Sequence, residues 1–97
     1  MALDYAQSAA LMSDQAFRDR VKVACLKYAT YMLDEATNTP AHNTRVKWAQ
    51  GAMTAPDAAA QMIVQPVVMD GAVQQDGSDI TDAALQSATE NTINKML

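Results

Sequence analysis

Residues 14–35 form the longest stretch free of glycine and proline in which apolar side chains recur at helical spacing. At about 100° per residue, Phe17, Val21, Ala24, Cys25, Tyr28, Tyr31 and Met32 fall on one stripe roughly 120° wide. Leu26, Leu33 and Val23 fall on the far side. Arg20 and Lys27 separate the two apolar surfaces on one flank, and Arg18 and Lys22 on the other. A helix that is apolar on opposite sides needs neighbours on both. Those neighbours are other helices of this chain or another copy of it.

The rest of the chain supplies further helices. Residues 4–12 read as a short Ala-rich helix, and Ser13 or Asp14 caps the central one by accepting from its free N–H groups. The central helix stops near Glu35 or Ala36, before Thr37-Asn38-Thr39-Pro40, because proline bars its predecessor from helical geometry. Thr39 and Pro40 then start a third helix, about 40–53. It has His42, Val46, Ala49 and Met53 on one face, and Ala41, Arg45, Trp48 and Ala52 on another. Thr54-Ala55-Pro56-Asp57 repeats the cap-and-proline signal and opens a fourth, about 56–65, packing through Met62 and Ile63. Pro66 ends or kinks it. Residues 66–79 read as a loop: Val67-Val68-Met69 forms either a helical turn or a short extended piece, Asp70-Gly71 and Asp76-Gly77-Ser78 are turn signals, and one helical turn fits near 72–75. A last helix occupies 80–97, capped by Asp79 or Thr81. If Thr81 is the cap, Ile80 and Leu85 take the positions of a hydrophobic staple. Leu85, Ala88, Thr92 and Met96 keep helical spacing along it, with Ile93 beside them. No segment alternates long enough for a strand. The expected fold is all-α: one domain over 1–97, a small bundle of four to five helices around the helix at 14–35.

Composition says what kind of bundle. Nineteen of the 97 residues are Ala, and Leu, Ile, Val and Phe together number 17. The core is therefore thin, helped by seven Met that fill irregular gaps. Such a domain gains from binding or assembly. Charge is uneven: residues 18–47 hold six basic against three acidic residues, and residues 48–97 hold one against six. A chain with a basic and an acidic part can pair head to tail with copies of itself, although the same charges also serve simply to solvate helix faces. The first thirty residues hold no basic start followed by an apolar block, so no secretory signal is expected. No apolar run is long enough to cross a bilayer. A soluble chain made in the cytoplasm is the expectation.

Catalytic and metal chemistry lack their parts. The single His, His42, sits in the first turn of a helix, and the single Cys, Cys25, lies on a packing stripe as an inert core thiol. One His and one Cys do not make a zinc site. Three scattered Gly make no phosphate cradle. Asp70, Asp76, Asp79 and Asp82 fail the EF-hand spacing and read as caps and turn residues. The expectation is a protein that is not an enzyme and takes no cofactor or metal. Arg18, Arg20, Lys22, Lys27, Arg45 and Lys47 raise a helix-turn-helix reading. Against it stand a pI near 4.6, basic residues split over two flanks of the central helix, and a proline in the joining segment.

Several stretches resemble small proteins encoded in the structural-gene modules of tailed bacteriophages. They are Asp4-Tyr5-Ala6, Asp14-x-x-Phe17-x-x-Arg20-Val21-x-Val23-Ala24, Pro40-Ala41-His42-x-x-Arg45 and Ser78-Asp79-Ile80-Thr81-Asp82. The bulky aromatic residue expected in the last helix of such proteins is missing here. The resemblance implies a virion component without activity of its own, a ring-forming subunit of the head–tail junction (neck, adaptor or connector) or a capsid-associated protein. Its partners would be portal, tail or capsid proteins and copies of itself. In that arrangement Phe17, Val21, Tyr28 and Met32 face the domain's own core. Arg20, Leu26, Lys27 and Leu33 meet a neighbour's acidic C-terminal part, where Asp76, Asp79 and Asp82 lie. Trp48, the only Trp, is either core or an interface anchor. A small soluble helical interaction protein and a DNA-binding regulator are the alternatives.

Overall fold

The computed structural model describes residues 5–38, 43–69 and 80–97. They form five helices: α1 (Tyr5–Ser13), α2 (Gln15–Asn38), α3 (Asn43–Thr54), α4 (Pro56–Met69) and α5 (Asp82–Met96). Among the described residues there is no strand, so the protein is all-α. The expected segments 39–42 and 70–79, with His42, Asp76 and Asp79, lie outside the described residues.

Local chemistry sets the helix ends. Asp14 interrupts α1 and α2: its N–H donates to the Leu11 carbonyl at 3.1 Å and its carboxylate accepts from the Ala16 N–H at 3.0 Å. That makes Asp14, rather than Ser13, the N-cap of α2. Only Ala55 separates α3 from α4. Its N–H closes α3 on Gly51, and its carbonyl opens α4 on Ala59. Thr54, read as part of the cap signal, turns back instead and donates its hydroxyl to the Gln50 carbonyl at 2.9 Å. Thr81 caps α5 in extended geometry and accepts from the Ala84 N–H at 3.1 Å. Ile80 and Leu85 both join the core, as the staple positions require.

The bundle has two central members. Helices α2 and α4 each pack against all four others, and α1, α3 and α5 flank them. The buried stripe of α2 is Phe17, Val21, Ala24, Cys25, Tyr28, Ala29 and Met32. Relative to the sequence expectation it gains Ala29 and loses Tyr31, a rotation of about 30° at helical spacing. Tyr31 is 54% exposed and lies flat on Tyr28, with ring centroids 6.0 Å apart and planes 10° apart. Its ring therefore shields one side of the buried Tyr28 ring. In α3 the buried pair is Ala49 and Ala52, one from each expected face, and Met53 is exposed. Two alanines let α3 approach closely, which a face carrying Met53 would prevent.

Helix α4 departs most from expectation. It runs through Pro66 to Met69 and buries Ala60, Ile63, Val64, Val67 and Val68. A proline inside a helix costs about 3 kcal/mol. Burying Val67 and Val68 returns about 1.5–3 kcal/mol each, so continuing the helix wins. The expected packing residue Met62 is 63% exposed, because Ile63, Val64, Val67 and Val68 turn the opposite side of the helix inward. In α5, Leu85, Thr89, Thr92 and Ile93 are buried, Ala88 is half-buried, and Met96 is exposed. The Thr89 hydroxyl has no hydrogen-bond partner among the described residues.

Candidate interface

The outer side of α2 and its seam with α5 hold Arg20, Leu26, Lys27 and Asp82, half of the interface residues singled out from sequence. Arg20 lies at the start of that seam. Its guanidinium donates to the Ile80 carbonyl and, at 3.0 Å, to the Asp82 carboxylate. Both acceptors belong to the same chain. Arg20 and Asp82, expected to meet across copies, instead fasten the start of α5 to α2. The reason is local: Asp82 stands in the first turn of α5 beside its positive end, and the Thr81 cap brings that turn over Arg20. One turn further on, Gln86 donates to the Ala24 carbonyl at 3.0 Å and to Glu90 at 2.9 Å. Between these two fastenings runs a groove of about 250 Å³, lined by Val23, Ala24, Leu85 and Lys27 among others.

The groove opens onto a shallow depression formed by Val23, Leu26, Lys27 and Thr30. Val23 is 50% exposed, Leu26 is half-buried, and Lys27 and Thr30 face solvent. The second apolar surface read from the sequence is therefore present, but shorter. Leu33, assigned to it, packs against the core cluster instead, since the rotation of the buried stripe carries it to the core's edge. Trp48 also packs against that cluster and keeps part of its surface exposed.

The basic residues do not gather on one face. Lys22 reaches Asp57 in the first turn of α4 at 3.1 Å. The hydrogen bond to Asp57, followed by its charge, holds the Lys22 ammonium above its usual pKa. Arg45 is held in a three-helix contact that no spacing rule in the sequence predicted. It donates to the Asn94 side-chain oxygen at 2.6 Å and to the Tyr28 hydroxyl at 2.9 Å, and Tyr28 donates to the same Asn94 oxygen at 2.9 Å. The guanidinium also lies 5.6 Å from the Tyr28 ring centroid. One clue was available: a Tyr on a buried stripe needs a partner for its hydroxyl.

Cys25 is fully buried, and burial pushes its thiol pKa up to about 12. Such a thiol is a poor nucleophile. Among the described residues no group of three or more His, Cys, Asp or Glu is placed to hold a metal ion. Among the same residues no helix is long and apolar enough to cross a membrane. Comparison with protein-family models, with curated proteins and with solved structures finds no match to this chain.

Proposed function

We propose that this chain is a non-catalytic structural subunit of a tailed-phage virion, a ring-forming component of the head–tail junction that works through its helical surfaces. The observation that carries the reading is the outer face of α2. This helix already packs against all four other helices, yet it still presents Val23 and Leu26 to solvent beside an open groove. A contact surface on the most constrained helix is rigid, which lowers the entropy cost of docking. The phage-like stretches of the sequence supply the setting. In it the partners are portal, tail or capsid proteins and copies of the chain, and the protein resides in the virion.

A DNA-binding role is the weaker reading. Arg20, Lys22 and Arg45 are engaged within the chain, so three of the six basic residues in the basic segment are already committed. A helix-turn-helix protein needs such residues free to meet phosphate. Mass-spectrometric quantification of this chain against the major capsid protein, in gradient-purified particles of the encoding phage, tests the proposal. About a dozen copies per particle fit a ring with cyclic symmetry. Hundreds place the chain on the capsid, and absence from clean particles removes the virion reading.

A further inference from the structure

Residues 5–38 contain no glycine and no proline, yet the helix they form is broken at one residue, Asp14. Leu11, Met12, Gln15 and Ala16 beside the break are strong helix formers, so local preference lets the helix continue through it. Locally the bend is held by Asp14 itself. Its N–H donates to the Leu11 carbonyl at 3.1 Å, and its carboxylate accepts from the Ala16 N–H at 3.0 Å. Ser13, Asp14, Gln15 and Ala16 are all exposed, so packing of their side chains does not fix the angle. The other tie is the seat of α1 on α2 and α4. Its grip is slight: among the described side chains of α1, Leu11 and Ser8 are buried and Met12 packs at the edge of the core, while Ala6, Gln7 and Ala10 face solvent.

We infer that α1 is an exchangeable arm: it swings out at Asp14, joins α2 in one continuous helix, and seats on α2 and α4 of a second copy, which returns its own α1. A bend leaves backbone groups on either side of it without i→i−4 partners. A continuous helix over residues 5–38, about 50 Å long, restores those bonds. What the open chain loses is the seat of α1, and the second copy supplies that seat with the same residues. The occupant follows from the seat itself. It already holds this sequence, so an identical arm fits it without any new complementary surface. A one-residue hinge is also the kind of short connection that invites exchange. Reciprocal exchange closes with two chains. This goes beyond the proposed function and does not depend on it, because the exchange is a property of the purified chain.

The experiment warms the full chain at about 1 mM to its Tm, cools it, and dilutes it to about 20 µM for sedimentation velocity; exchange needs opening and mass action, and its product reopens slowly. Asp14→Ala removes the cap and should raise the dimerisation constant about twentyfold, about fivefold for each of the two hinges. Gln15→Pro puts proline at the first position of α2, which suits the bent form and bars the continuous helix by a clash with the Leu11 carbonyl. Its dimer should fall below about a tenth of the wild-type amount, with far-UV circular dichroism checking that the helices remain. Spin labels at Ala6→Cys and Glu35→Cys, diluted in unlabelled chain, read the exchange without touching the hinge. Their intrachain distance should reach about 44 Å in the dimer, as a continuous helix requires, and stay shorter in the bent monomer. Monomers alone from both the wild type and Asp14→Ala overturn the inference. A folded Gln15→Pro protein that dimerises as the wild type does overturns it too, as does a dimer whose labels keep the monomer's distance. Either result would mean a surface contact made with α1 at home.

Discussion

Replacing Tyr28 by Phe removes one oxygen atom from the contact that ties α2, α3 and α5 together. The lost hydroxyl donates to Asn94 and accepts from Arg45, both at 2.9 Å. A neutral hydrogen bond contributes about 1 kcal/mol net and one to a charged group about 1.5–3 kcal/mol. Two compensations reduce that sum. Phe keeps the ring under the Arg45 guanidinium, and Arg45 keeps its 2.6 Å bond to Asn94. Asn94 is exposed and Arg45 half-buried, so water reaches the donor left behind. The expected destabilisation is about 1.5 kcal/mol, which for a chain of this size lowers Tm by roughly 6–12 °C. Urea titration followed at 222 nm measures it, with Asn94→Ala and the double variant completing a cycle. The two single changes share a bond, so a coupling of about 1 kcal/mol is expected. A Tyr28→Phe protein within about 0.3 kcal/mol of wild type, or a coupling near zero, would refute the role given to this contact.

Three further perturbations follow from buried groups. Thr89→Val replaces a fully buried hydroxyl, which has no partner among the described residues, by a methyl of like shape, and should raise stability by about 1 kcal/mol; a loss in urea titration would mean that the hydroxyl is satisfied in solution. Pro66→Ala restores an N–H for the Met62 carbonyl and should stabilise the protein by about 1–3 kcal/mol, with unfolding by calorimetry as the check. An unchanged or lower Tm would show that the half-buried proline ring supplies packing equal to the missing bond. Cys25 keeps its proton in the folded state to about pH 12, whereas the unfolded thiol ionises near its usual 9.0. The unfolded state then binds fewer protons, so above pH 9 folding should lose about 1.4 kcal/mol per pH unit through this group. Below pH 9 that contribution is fully present. Cys25→Ala should flatten the alkaline slope, and identical slopes would contradict the burial of the thiol.

Helix type and number were legible because they rest on local signals. The Asp14 and Thr81 caps, the Pro56 start and the Ile80–Leu85 staple each act within a few residues. Failures came where tertiary packing overrode a local rule. Pro66 was expected to end or kink α4; the helix continues through it because burying Val67 and Val68 beyond the proline is worth more than the lost bond costs. Met62 was assigned inward on spacing alone, and packing through Ile63, Val64, Val67 and Val68 turned it out. The candidate interface was half legible. The pattern of α2 disclosed the outer strip at Val23 and Leu26. It did not disclose that Arg20 would be spent on Asp82, a partner 62 residues away. Unlike charges in separate helices carry no mark of whether they close within a chain or between chains. The Tyr28–Arg45–Asn94 contact was hidden for the same reason.

The account rests on the outer face of α2 being covered when the chain is in place. Amine-reactive labelling, read residue by residue by mass spectrometry, tests this directly in intact particles and in the free protein. Lys27 rims the α2 strip, and Lys47 faces solvent from α3. The account predicts that both label readily in the free protein and that assembly slows Lys27 about tenfold or more, as burial under about 1.4 kcal/mol or more of protection requires, while Lys47 changes little. Equal labelling of Lys27 in the two states would contradict the claim that this face is where the protein makes its contacts.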